Sequence, residues 1–275
     1  MTMTCRVCHG VSESFASAQI LSKYTIEYFR CRDCHFVQSE EPYWLDEAYR
    51  SVIVSTDVGL ISRNERFARI TDRVLRYVFP QVIDSVDYGG GYGMFTRMMR
   101  DRGHYFFHRD PHCRNLFAVG LEASNAAQAH ASETENSSGG NHFDFLTAFE
   151  VFEHFASPHQ ELERLDRMAD QWLISTEVLP EPTPLPHQWW YYVLDGGQHI
   201  SLWSQRALQE VAHHYDRHLV SYRGLHLFSR EKLKPQWVRS ILRDRGSRVL
   251  DHFRKRRSLL SDDFQRAVAA VQNAA

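Results

Sequence analysis

A short segment that reads as a buried strand, Ile83-Asp-Ser-Val86, ends in Asp87 and meets three alternating glycines, Gly89, Gly91 and Gly93, before a helical pattern opens at Met94. No other stretch restricts the fold so strongly. Strand, glycine turn and helix in that order let a backbone approach a ligand closely and aim free N–H groups at its anionic part. The helix is expected over Met94 to Asp101, stopped by Gly103, and His104-Tyr-Phe-Phe-His-Arg109 reads as a second strand that ends in Asp110. An acid about 20 residues beyond the glycines is placed to hydrogen-bond vicinal ribose hydroxyls. Met94 stands where a dinucleotide fingerprint requires its third Gly or Ala, which argues against a dinucleotide.

The alternation continues downstream. Phe143 to Phe149 reads as a buried strand, and Ser157-Pro-His-Gln160 supplies an N-cap, a proline at the first helical position and a capping-box glutamine for a helix to Ala169. Gln171 to Thr176 is a further strand, Ser204 caps a helix to Tyr215, and Leu219–Tyr222 with Leu225–Phe228 form an edge hairpin. Strands alternating with helices imply an α/β fold, a mostly parallel sheet covered on both faces. Upstream, Ile61, Phe67, Ile70, Val74, Leu75 and Val78 follow helical spacing until Pro80.

Four cysteines precede this core in two pairs, Cys5-x2-Cys8 and Cys31-x2-Cys34, separated by 22 residues. Each tight turn presents two thiolates, and two turns complete the tetrahedral sulfur shell of a structural zinc site. Tyr24 to Arg30 reads as a strand leading into the second pair, and Cys113 is left over as a buried structural thiol. Paired thiols at this spacing fit a metal better than a disulfide framework, and no leader or long apolar segment is present, so a cytoplasmic location is expected. With 275 residues, 24% charged groups and a net charge of -2, global charge nominates no nucleic-acid partner. Arg230 to Arg257 is the one basic region, with eleven Lys/Arg against three Asp/Glu. It is read as a solvated face or as a surface for an anionic ligand. The polar segment Ser132 to Asn141, with Gly139-Gly140, reads as a surface loop.

Asp87-x-Gly89-x-Gly91-x-Gly93 resembles the first motif of class I S-adenosylmethionine-dependent methyltransferases, and Asp110 resembles their ribose-binding acid. Phe143 to His154, with its Glu150-Val-Phe-Glu153-His154 ending, is similar to their fourth strand. The resemblance implies a Rossmann-like methyltransferase fold with a seven-stranded sheet and S-adenosylmethionine as cofactor. It places the cofactor carboxylate on the loop Asp87, Tyr88, Gly89, Gly91 and Gly93, the ribose on Asp110, and the sulfonium beside Ala148, Phe149 and Glu150. The cysteine pairs resemble the zinc module of methyltransferases that modify sugars and surface polysaccharides. The expected division is a zinc module over 1–40, a helical connector over 41–80, the cofactor domain over 81–229 and a basic helical extension over 230–275.

Glu150, Glu153 and His154 share one face if the segment leaving the strand is helical, and His199 follows the fifth strand. These four residues support two mechanisms. In one they hold a second divalent ion that lowers the pKa of substrate hydroxyls, as similar positions do in some RNA 2′-O-methyltransferases. In the other His154 or His199 is a metal-free general base, with His199 the better candidate. Between strand and His199, the proline-rich stretch Val178 to Tyr192 carries four consecutive aromatics and reads either as a substrate lid or as packing. The expected function is methyl transfer to a small molecule, a sugar or a nucleotide- or lipid-linked glycan precursor. Metal-dependent RNA 2′-O-methylation and a catalytically inactive zinc-module binding protein are the alternatives.

Overall fold

A computed structural model describes residues 2–49, 58–126, 142–243 and 256–274. The segment with Gly139-Gly140, and residues 244–255 of the basic run, lie outside the described residues. By compactness the chain forms two units, one of Met1–Thr56, Ala148–Arg167 and Trp172–Lys232, the other of Asp57–Thr147, Met168–Gln171 and Leu233–Ala275.

The first unit contains the cysteine pairs. Strands β1 (Thr2–Thr4), β2 (Val11–Ile20), β3 (Tyr24–Cys31), β4 (Val37–Ser39) and β9 (Ser201–Leu202) form a sheet in the order β1-β2-β3-β4-β9. β3 is the strand expected ahead of the second cysteine pair. β2 was not legible because Val11-Ser-Glu-Ser-Phe-Ala-Ser-Ala-Gln-Ile20 has too few large apolar side chains for a strand pattern. Tyr28, Val37, Trp44, Tyr191, Tyr192, Ile200 and Leu202 bury themselves in one apolar cluster on this sheet. A short helix α1 (Leu45–Ala48) follows Trp44.

The second unit begins with helix α2 (Leu60–Tyr77), which buries Phe67, Ile70, Val74 and Leu75 on one face, as its spacing requires. Ile61 stays 62% exposed and does not join that face. β5 (Asp84–Tyr88) pairs in parallel with β6 (Tyr105–Arg109) and with β7 (Phe143–Phe149). α3 (Met94–Asp101) joins β5 to β6 and buries Phe95 and Met99. Gly103, at φ 82°, ends the helix, and the amide of His104 reaches back to the Met99 carbonyl. Two arginines of α3, Arg97 and Arg100, converge on Asp263 in the first turn of the terminal helix Leu260–Ala274.

The larger sheet has the order β10-β11-β8-β7-β5-β6, with β8 (Ala169–Ser175), β10 (His218–Tyr222) and β11 (Leu225–Ser229). Its β10 and β11 ends are antiparallel, so the sheet is mixed, and six strands of the expected seven fall among the described residues. Helix α4 (Pro158–Met168) precedes β8. Ser204 caps α5 (Gln205–His214) by accepting the Ala207 amide, and α6 (Pro235–Leu242) and α7 (Leu260–Ala274) complete the helices. No helix among the described residues is long and apolar enough to cross a membrane.

One buried imidazole ties the hairpin to β8. His226 accepts from the Ser221 hydroxyl at Nδ1 and donates from Nε2 to the Thr176 carbonyl, and burial lowers its pKa to about 4. A histidine held neutral stabilises the fold at pH values above its unfolded pKa of about 6.5, and that contribution is lost as pH falls toward 4. The amount at stake is about 3 kcal/mol. His226→Gln is expected to flatten the acid limb of the stability curve between about pH 6.5 and 4, measured by urea unfolding across that range.

Candidate functional site

The glycine loop is shaped by what its neighbours leave room for. Asp87 is fully buried at the end of β5, where Thr147 Oγ1 donates to Oδ1 at 2.8 Å and Thr96 Oγ1 to Oδ2 at 3.4 Å. Burial raises its pKa to about 7 against these two hydrogen bonds. Gly90 sits on this carboxylate, and a Cβ there would fall 2.4 Å from Asp87 Oδ2 and 2.9 Å from His108 Cδ2. Gly90→Ala is therefore expected to cost about 1–3 kcal/mol by overpacking and to abolish S-adenosylhomocysteine binding, measured by thermal melting and calorimetry.

Gly91 differs, because a Cβ at this residue would meet nothing within 4 Å. The space over its backbone is open. Its carbonyl accepts from His108 Nε2 at 2.9 Å, and its amide donates to Asp110 Oδ2 at 2.9 Å. Asp110 Oδ1 accepts the amides of His112 and Cys113. The sequence leads one to expect a free Gly91 amide; instead that amide is spent in orienting the acid. Asp110 Oδ2, with one donor, keeps acceptor capacity for a hydroxyl. Cys113 is partly exposed rather than buried, since its loop turns around Asp110 at the surface.

In the other unit β7 ends at Phe149, and Glu150 turns the chain at φ 55°, a left-handed conformation that costs a non-glycine residue strain. Ser175 holds it there. The Ser175 hydroxyl accepts the Glu150 amide at 2.9 Å and donates to Glu150 Oε1 at 2.6 Å. The segment beyond is a 3₁₀ turn, Phe152–His154, not the α-helix on which a common face for Glu150, Glu153 and His154 depends. Ligand atoms of Glu153, His154 and His199 do come together, all within 4.8 Å of one another, and Glu150 falls outside this set.

Both imidazoles are held in the same tautomer. His199 Nδ1 lies 2.6 Å from the Tyr191 carbonyl, and His154 Nδ1 lies 3.1 Å from the Gln198 carbonyl and 3.1 Å from the Tyr49 hydroxyl. A carbonyl only accepts, so each Nδ1 carries the proton and each Nε2 presents a bare lone pair. Burial lowers the pKa of His154 to about 4 and, with help from the neighbouring His154, that of His199 to about 3. Glu153 is fully buried, and neither carboxylate oxygen has a hydrogen-bond partner. Burial and the adjacent Glu150 charge raise its pKa to about 8, although the Tyr191 and Thr176 hydroxyls lie near enough to favour the charged form.

The aromatic stretch divides. Tyr191 and Tyr192 are core side chains, 1% exposed, while Trp190 is 71% exposed and packs edge-on against Tyr191, whose ring in turn meets His199. Thr96, Thr147, His108, Ser175 and Gln198, which hold the site residues, carry no motif of their own. Thr96, Thr147, His108 and Ser175 signal themselves only as polar side chains inside a helix or strand, and Gln198, in a loop, has no such signal.

The four cysteine sulfurs lie within 4.8 Å of one another, with Cys5–Cys34 at 3.6 Å and Cys8–Cys31 at 3.4 Å. A tetrahedral shell with zinc–sulfur bonds of about 2.3 Å needs sulfurs about 3.8 Å apart, so the set is compatible with zinc. The hydrogen bond from Cys34 lowers the Cys5 pKa to about 5.

A strand, glycine turn and helix beside an acid, on a mixed sheet flanked by helices, is the arrangement that α/β folds use to bind nucleoside-type cofactors. Residues 62–222, more than half of the chain, match the family model described as a methyltransferase domain. The chain belongs to that family. No curated protein matches it by sequence. Among solved structures, TnmH is 18% identical with a TM-score of 0.42, over 68% of this chain and 60% of that one. PigF with SAH is 13% identical with a TM-score of 0.43, over 69% and 62%. The 1,6-didemethyltoxoflavin-N1-methyltransferase of Burkholderia thailandensis is 15% identical with a TM-score of 0.42, over 78% and 96%. The chain thus spans 60% of the length of TnmH and 45% of that of WbdD.

Proposed function

We propose that this enzyme methylates a hydroxyl of a small molecule, a sugar or a nucleotide- or lipid-linked glycan precursor, in the cytoplasm, with zinc on Cys5, Cys8, Cys31 and Cys34 as a structural ion. The convergence of Glu153, His154 and His199, with both Nε2 atoms bare, carries the reading. On the cofactor side Asp110 holds the ribose hydroxyls, the space over Gly91 takes the amino-acid end, and Ala148 to Glu150 border the sulfonium. When bound, S-adenosylmethionine supplies an electrophilic methyl and leaves as S-adenosylhomocysteine.

With the cofactor bound, His199 Nε2 would accept the proton of the acceptor hydroxyl as that oxygen is methylated. The fraction of Glu153 that is ionised lies within 4.8 Å of the His199 ring and stabilises the imidazolium that proton uptake creates, so transfer by this route rises as pH approaches the Glu153 pKa of about 8. The exposed face of Trp190 and the cysteine-bearing segment, similar to that of sugar-modifying methyltransferases, support the substrate class.

The orphaned oxygens of Glu153 favour a second reading of the same residues. Glu153, His154 and His199 fit a divalent ion that would bind the acceptor hydroxyl and lower its pKa, with open positions for substrate. Metal analysis separates the two readings, since a second equivalent that is lost in His154→Ala but not in Cys31→Ser belongs to this cluster. The test of function is calorimetry with S-adenosylhomocysteine, followed by transfer of labelled methyl to a panel of nucleotide sugars. Absence of S-adenosylhomocysteine binding defeats the enzyme reading, and label that appears in RNA but in no sugar defeats the substrate class.

A further inference from the structure

The segment that carries the paired cysteines is in direct contact with the loop that carries His199, and we propose that its role is to position that imidazole. The inference rests on the reading of His199 as the acceptor-side base. β9 starts two residues after His199 and is the edge strand of the cysteine-bearing sheet, with Val37 opposite Leu202 and Gln38 opposite Ser201. The Ser39 amide donates to the Ile200 carbonyl at 3.0 Å, while the Ile200 amide donates to the Glu153 carbonyl at 3.0 Å. Ile200 is therefore held through its carbonyl by β4 and through its amide by the Glu153 turn.

The residues before His199 are fastened to the same segment. Trp44, 1% exposed, donates from Nε1 to the Gly197 carbonyl at 2.8 Å. Gly197 stands at φ 63°, and a Cβ there would lie 3.0 Å from Leu21 Cγ. Gln198 donates from Nε2 to the Ala48 carbonyl at 2.7 Å, and its own carbonyl is the acceptor that fixes the His154 tautomer. Beyond β9, the Ser204 hydroxyl donates to the carbonyl of Cys34, next to the second cysteine turn. Residues 197, 198, 200, 201, 202 and 204 all bind the segment between Leu21 and Ala48, so His199 inherits its place from them. Trp44 and Gln198 are positioning residues, because neither acts on a reacting atom.

Trp44→Phe keeps a large ring in the core and deletes one hydrogen bond to the loop. We expect amide exchange over residues 196–204 to quicken roughly ten-fold and the His199 and His154 ring nitrogen signals to shift in the NMR spectrum, with unchanged S-adenosylhomocysteine affinity. Removal of metal from the full chain with a chelator is expected to give the same local quickening, reversed by added Zn2+. Unaltered exchange over 196–204 in both the variant and the stripped protein overturns the proposal. So does uniform quickening across both units, because that marks a general loss of stability. If Trp44→Phe fails to fold, Gln198→Leu applies the same test from the loop side. Failure of the unmodified protein to bind S-adenosylhomocysteine counts against the methyl-transfer reading and leaves the exchange result to judge the positioning.

Discussion

Replacing His199 by alanine is expected to lower methyl transfer about 10²–10⁴-fold, the usual contribution of a positioned general base, with unchanged affinity for S-adenosylhomocysteine. The separation follows from placement. His199 belongs to the first unit, whereas Asp87, the glycine loop and Asp110 belong to the second, and the hydrogen bonds described at Asp87, Gly91 and Asp110 do not involve the imidazole. Single-turnover transfer with labelled S-adenosylmethionine measures the first quantity and calorimetry the second. Undiminished turnover in the variant removes His199 from the mechanism.

The second large effect concerns Cys31. Cys31→Ser takes one sulfur from the four-thiol set, and structural zinc contributes about 10–16 kcal/mol of folding free energy in small zinc modules. Loss of one ligand is therefore expected to release the ion and to unravel the turns at Cys5-x2-Cys8 and Cys31-x2-Cys34, with a sharp fall in soluble yield. Elemental analysis and circular dichroism report these two outcomes. A metal-free variant that melts at the temperature of the unmodified protein shows that the sulfurs hold their turns by packing alone.

What could be read from the chain follows the range of the interactions. α3 and the turn before it were legible because Asp87, the alternating glycines and Met94–Asp101 act within about four residues of one another. Ser204 was legible as a cap for the same reason. Cys5, Cys8, Cys31 and Cys34 declared themselves by chemistry, since few other uses require thiols at that spacing. β9 could not be found, because two residues, Ser201-Leu202, become a strand only through β4, far earlier in the chain. Nor could Glu150 be separated from Glu153. That separation depends on a left-handed turn stabilised by Ser175, and an isolated sequence favours a helix there. Tyr191 and Tyr192 look the same as Trp190 in the sequence, yet two fill the core and one faces solvent.

The pairing of β4 with β9 also sets an order of events during synthesis. Val37–Ser39 leaves the ribosome about 160 residues before Ser201-Leu202, a delay of roughly 10–30 s at ordinary elongation rates. Throughout that interval the outer edge of β4 offers unpaired amides and carbonyls to any other nascent chain. Fragments that stop short of residue 201 keep this edge open, and they are expected to sediment as aggregate in a larger fraction than the 275-residue chain when the two are expressed side by side.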